Sequence, residues 1–312
     1  MKVHQKWATR SAIMLVLFRG VACLAQLTNF SVNPEADAFV READPTNNYG
    51  LAGSLSVAGV SATNGFGIPG GRADSLVRFQ WNEVVNALDA ALGNHDWFIA
   101  CAALRLYEIG APNNALFSRG IGTFEARWLT SGDGWEEGTG SPNAPTMDGV
   151  SFRDLASLVN PAHDVSLGIF TNNGVDGAFT ITLPTAFAEH LRSGGSTTFH
   201  FTPASDSVGF TFLSRNNPRP SLGIGLDLTV VAGPRPHLAS IERTNANEVV
   251  IHFNTRSNWT HVLQYRDVLA TDAINSWSNL FNAPAQTFDS EANVVDVITN
   301  PRRFYRLSLS PP

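Results

Sequence analysis

The sequence predicts an all-β protein built from two sandwiches in series, and three observations carry that prediction. Between residues 33 and about 231, short runs of β-branched and aromatic residues recur, each broken by Gly, Asn, Asp or Pro. Few helical stretches lie between them, so the pattern reads as a β-sandwich or jelly roll and not as βαβ units. A Gly-Pro-Arg-Pro interruption at 233–236 then precedes a second series of short strand-like runs up to the end of the chain. With 43% apolar and 15% charged residues the chain is too hydrophobic to be disordered.

Taken in order, residues 1–25 have the layout of a signal peptide. Lys2, Lys6 and Arg10 precede an apolar run at 12–18, and small residues lead to Cys23-Leu24-Ala25 ahead of Gln26. The run is shorter than the ~20 residues that span a bilayer, and no later segment approaches that length. A lipoprotein reading with Cys23 lipidated is disfavoured by Gly20, which stands where a large aliphatic residue is expected. Export to the cell surface or the medium is the resulting expectation. Removing this segment removes both lysines and two of the 19 arginines, leaving 17 − 27 = −10. Residues 26–231 carry 10 Arg against 20 acids, whereas 232–312 balance at seven and seven. Such a surface excludes nucleic acid and anionic bilayers as main partners, since both need an excess of cations. Cys101 is then the sole cysteine of the mature chain, so no internal disulfide forms. In its apolar surroundings it reads as a small buried hydrophobe.

The predicted strands of the first unit, 26–231, fall at 36–40, 51–60, 75–81, 102–109, 120–129, 166–170, 178–183, 197–202, 207–214 and 222–231. In 197–202 the aromatic residues Phe199 and Phe201 share one face, which leaves His200 on the polar face. Helices are predicted at 82–92, where apolar residues recur near a 3.6 period, at 151–159, and at 185–191 between Pro184 and Gly194-Gly195. After a linker at 232–236, strands at 238–243, 248–254, 261–267, 277–281, 294–298 and 303–309 suit an immunoglobulin-like or fibronectin-III-like sandwich over 237–312.

An ordered set of short marks goes further. Ala36-Asp-Ala-Phe-Val40, Asn48-Tyr-Gly50, Leu55-Ser-Val57, Ser75-Leu-Val-Arg-Phe79, Ala103-Leu-Arg-Leu-Tyr107, Trp135-Glu-Glu-Gly138, Ser214-Arg215 and Arg219-Pro-Ser-Leu222 resemble the disaggregatase-related (DNRLRE) domain, also classed as carbohydrate-binding module family 96. The resemblance spans roughly 33–231. It implies a jelly-roll sandwich, a secreted or cell-surface setting, and a non-catalytic partner role toward polysaccharide, acidic polysaccharides such as alginate among them. The charge of −10 and the lack of lysine argue against a polyanionic ligand and favour neutral glycans or calcium-bridged contacts. The tail, through 262–266, 277–280 and 303–307, resembles the small β-sandwich appended to secreted proteins of verrucomicrobial and planctomycete bacteria.

Chemical templates are sparse. Gly65-Phe-Gly-Ile-Pro-Gly70 has the letters of a dinucleotide loop but leads into a strand instead of a helix, so it reads as a glycine-rich loop. The sequence contains no G-x-S-x-G, H-E-x-x-H or C-x-x-C, and the histidines show no ligand-like spacing. The loop Asp133-Gly-Trp-Glu-Glu-Gly-Thr-Gly140 attracts most interest. Trp135, with Trp128 and Arg127 just upstream, is a candidate for stacking on a sugar, and Arg215 and Arg219 for hydrogen bonds to it. Asp133, Glu136 and Glu137 are candidate calcium ligands, as are Asp37 and Asp227 if the first and last strands lie side by side. The alternatives are a solvated turn with its tryptophan packed on the sandwich, and ordinary surface acids. On these grounds the expected function is secreted, non-catalytic binding of a polysaccharide or cell-envelope glycan. A structural matrix protein, or a polysaccharide lyase or hydrolase, is the alternative.

Overall fold

The computed structural model describes residues 27–92, 97–112, 115–192, 194–232, 237–245, 247–267, 277–298, 300 and 302–310. The predicted signal peptide and residues 233–236 of the predicted linker lie outside the described residues. The chain runs β1 (Leu27–Val32), β2 (Ala36–Arg41), β3 (Ser54–Ala58), β4 (Thr63–Asn64), β5 (Ala73–Gln80), α1 (Asn82–Leu92), β6 (Trp97–Glu108), β7 (Ser118–Arg119) and β8 (Thr123–Leu129). A single 3₁₀ turn at Phe152–Asp154 enters α2 (Leu155–Leu158), followed by β9 (Val165–Thr171), β10 (Gly177–Thr182), α3 (Thr185–Arg192), β11 (Ser196–Pro203), β12 (Gly209–Leu213) and β13 (Gly225–Ala232). The tail holds β14 (Leu238–Asn245), β15 (Glu248–Thr255), β16 (Thr260–Arg266), β17 (Ser278–Ala283), β18 (Ser290–Val297) and β19 (Phe304–Ser310).

The all-β sandwich class is therefore what the chain adopts. All pairings are antiparallel, and two layers stand out in 27–232. One is the series β1-β13-β6-β10, extended at the far end of β6 by the pair β12-β3. The other is β2-β5-β11-β8-β9. Inward-facing side chains alternate along the strands, as the period of 2 requires, with the parity shifted at a bulge in the β6–β13 pair. Leu104 and Leu106 of β6 and Leu226 and Leu228 of β13 meet Val77 and Phe79 of β5 and Phe199 and Phe201 of β11 in one core. Aromatic rings dominate it: Phe124 stacks on Phe210 at 4.4 Å, and Phe79 meets Phe199 edge-on at 5.9 Å. α1 adds Leu88 to this core, and α3 adds Phe187, Ala188 and Leu191. Gly194, with φ 74°, ends α3 in the left-handed conformation that a glycine adopts without strain.

The outer face of the second layer is also covered. The chain between β8 and β9 folds back over it, so that Trp135, Val150 and Leu155 join Ala36, Ala38, Val40, Leu76 and Leu129 in a second, smaller core. This explains one departure from expectation: His200 does lie opposite Phe199 and Phe201, but the covered face buries it against Asp74, Nε2 to Oδ2 at 2.8 Å. A second has a different cause: Cys101, expected inside, is exposed because a bulge opposite Thr229 and Val230 shifts the inward parity of β6 from Trp97 and Ile99 to Ala102, Leu104 and Leu106.

In the tail, β14-β15-β18 and β17-β16-β19 enclose Val249, Ile251, Phe253, Leu263 and Val294. Among the described residues no helix is long and apolar enough to cross a membrane.

Candidate functional site

Of the predicted site residues, Asp37, Glu137 and Arg215 come together, and they are tied to one another. Asn48 sits at the centre. Its Nδ2 donates to the carbonyls of Glu137 (2.6 Å) and Val150 (2.9 Å), while its Oδ1 accepts from the amides of Gly50 and Gly140. Such closeness demands glycine: a Cβ on Gly50 or Gly140 would fall about 2 Å from a backbone oxygen. Arg215 grips Glu137 with Nε and Nη2, and Asn216 Nδ2 adds a third contact to the same carboxylate. Glu137 Oε1 also accepts the amide of Asp37 at 3.0 Å, and Asp37 Oδ2 accepts the amide of Arg215 at 2.6 Å. Arg78 completes the clamp by donating to the carbonyls of Asp133 and Trp135 and to Glu35.

Trp135 is therefore not a stacking platform. It is 4% exposed, its Nε1 donates to Thr198 Oγ1 at 3.0 Å, and the Arg78 guanidinium lies 4.9 Å from its ring centre. Trp128, 8% exposed, lies edge-on to Phe187 at 5.3 Å in the main core. Both are large apolar side chains on covered faces of β8 and of the loop that follows it, where burial outweighs exposure to a ligand. Arg127 pairs with Glu125 at 2.9 Å, and Arg219 is exposed on its own loop.

The carboxylates do not converge either. Asp133 turns towards Thr198 and His190, and burial pushes its carboxyl above the usual range despite hydrogen bonds from Thr198. Glu136 is exposed and Glu137 is held by Arg215. Asp227 lies on the outside of β13, accepting from Ser31 Oγ at 2.5 Å and Arg105 Nε at 3.2 Å. It does not neighbour Asp37, because a strand that the sequence reading did not contain, β1, takes the place beside β13 that β2 was expected to occupy. Among the described residues no group of three or more His, Cys, Asp or Glu is placed to hold a metal.

Asp74 and His200 have the look of half a triad, with Arg72 bidentate on Asp74 through Nε (2.8 Å) and Nη2 (3.0 Å). Both are buried in the covered face.

An open groove of about 430 Å³ lies elsewhere, where the edge strand β1 meets α1 and the end of β5. Phe30, Asn33, Glu35, Gln80, Glu83 and Ala87 line it, with Ser31, Val32 and Val84. Phe30 and Val32 are core-facing residues of an edge strand and so are only partly covered. Gln80 is fixed by its Oε1, which accepts from the amides of Trp81 (2.9 Å) and Asn82 (3.4 Å) at the start of α1. Sequence reasoning missed every residue of this groove. The available signal was Phe30 and Val32, two apolar residues on alternate positions shortly after the predicted signal peptide. No family model matches the chain, and no curated protein matches it.

Proposed function

We propose that the protein is an exported, non-catalytic glycan-binding protein whose ligand lies in the groove between β1 and α1. The observation that carries this reading is the groove's make-up: a partly covered phenylalanine beside amide, hydroxyl and carboxylate groups, in a volume of about 430 Å³. Sites for small ligands and sugar units occupy this size range and combine an apolar floor with a few polar groups. A ring such as Phe30 takes the C–H face of a sugar, while Asn33 and Glu35 reach its hydroxyls. The leader-like segment 1–25 and the ordered resemblance to the disaggregatase-related domain point the same way.

The test is a broad glycan array with the full chain, followed by calorimetry on any ligand found. Ala87→Trp places a bulky ring in the groove from an exposed helix position, where the backbone tolerates it. Loss of affinity by more than about tenfold, with the melting temperature unchanged, is expected. Undiminished binding by that variant excludes the groove. A blank array excludes glycan binding.

A further inference from the structure

We propose, resting on the reading of the groove as a glycan site, that its ligand carries free amino groups: an amino-sugar polymer in its unacetylated form. Two carboxylates, Glu35 and Glu83, line the groove, and none of its nine lining residues is Lys, Arg or His. The two acids are not equivalent. Glu35 is committed to Arg78 Nε, and that guanidinium is turned away to the carbonyls of Asp133 and Trp135. Glu83 stands exposed in the first turn of α1, and it makes no hydrogen bond or ion pair with any described residue.

The polar groups left for a ligand are thus mostly acceptors. Gln80 Oε1 is taken up by the start of α1, and Ser31 Oγ already donates to Asp227. A uronate would bring its carboxylate against Glu83 with no cation lining the groove to receive it. A neutral N-acetylated sugar escapes that repulsion but leaves Glu83 unpaired. A protonated amine makes a charge-assisted hydrogen bond there, and the −10 charge of the mature chain steers such a polycation towards the protein.

Three probes of equal length decide the matter, titrated into the full chain in mildly acid buffer where ligand amines are cations: a β-1,4-glucosamine oligomer, its fully N-acetylated counterpart and a β-1,4-linked uronate oligomer. The amine form is expected to bind about two- to fivefold tighter than the acetylated form, the size of one exposed charge pair. Glu83→Gln abolishes that preference by lowering the affinity for the amine form towards that of the acetylated form, and high salt narrows it. The fold does not depend on this exposed side chain, so the variant isolates the charge. Equal affinity for the amine and acetylated forms, or tightest binding of the uronate, overturns the inference and leaves the glycan site standing. Binding of none of the three by a folded protein whose array is also blank removes the glycan site and this inference together.

Discussion

At Asp37, burial and a neighbouring carboxylate act in the same direction. The side chain is 0% exposed on the face of β2 that also bears Phe39, and desolvation, reinforced by the charge of Glu137, pushes its pKa up to about 7 in spite of the Arg215 amide. The unfolded chain releases this proton near 3.8, the ordinary aspartate value, so between roughly 4 and 7 the folded state binds a proton that the unfolded state does not. Stability contributed by this group is therefore complete below 3.8 and is lost as pH rises through 7. At ~1.4 kcal/mol per pKa unit the loss is on the order of a few kcal/mol. Asp37→Asn keeps an oxygen for the Arg215 amide and carries no titrating charge. Thermal melts at pH 4 to 8 are expected to show a falling melting temperature for the natural chain and a flatter profile for the variant. Parallel profiles would show that Asp37 is ionised throughout. Sequence reading gave this aspartate a place on a strand but not its environment, since its partners lie 100 and 178 positions away along the chain.

Element types were largely legible. The 3.6 period over 82–92 gave α1 its full extent, and the alternation at 197–202 put the aromatic face of β11 inward. Both are local signals, fixed by the period of the backbone and the two faces it creates. What stayed hidden is what covers a face. Apart from the helix predicted at 151–159, where the structure has a 3₁₀ turn and α2, the chain from 130 to 164 carries no periodic pattern, yet it is anchored by Asp164. The Oδ1 of that residue accepts Thr130 N at 3.0 Å and its Oδ2 accepts Asn160 N at 2.6 Å. Trp135 is the plug that such a cover inserts into the outer face of β5, β11 and β2. Trp135→Ala is predicted to cost ~3–5 kcal/mol, the usual range for emptying an aromatic site. Amides of 131–163 should exchange with solvent faster than those of β5 or β11, as the cover lifts before the sandwich opens. Equal acceleration in both regions would show that cover and sandwich unfold as one unit, and a loss below about 1 kcal/mol would contradict the packing role.

Across the whole molecule, strands of 27–232 and of 238–310 pair only within their own groups among the described residues. The two groups are nevertheless joined by packing. Trp259, buried ahead of β16, meets Phe98 of β6 at 6.1 Å between ring centres, with Val231 of β13 and Leu309 of β19 in the same cluster. Arg256 Nη2 caps the joint by donating to the carbonyl of Ala232, the last residue of β13, at 2.7 Å. The Pro-x-Pro interruption marks a boundary between two β-rich segments, and a buried tryptophan shared between them couples their unfolding. That coupling has a direct test. Trp259→Ala removes the ring from a site closed on both sides, so a loss of ~3–5 kcal/mol is expected from the joint itself. If the joint is what makes the melt cooperative, the single calorimetric transition of the natural chain separates into two in the variant, the smaller one carrying the enthalpy of the tail. Two transitions already present in the natural chain would mean that the contact is too weak to couple the halves. A single transition retained by the variant would mean that contacts other than Trp259 do so, with the hydrogen bond from Arg256 Nη2 to the Ala232 carbonyl the next to remove.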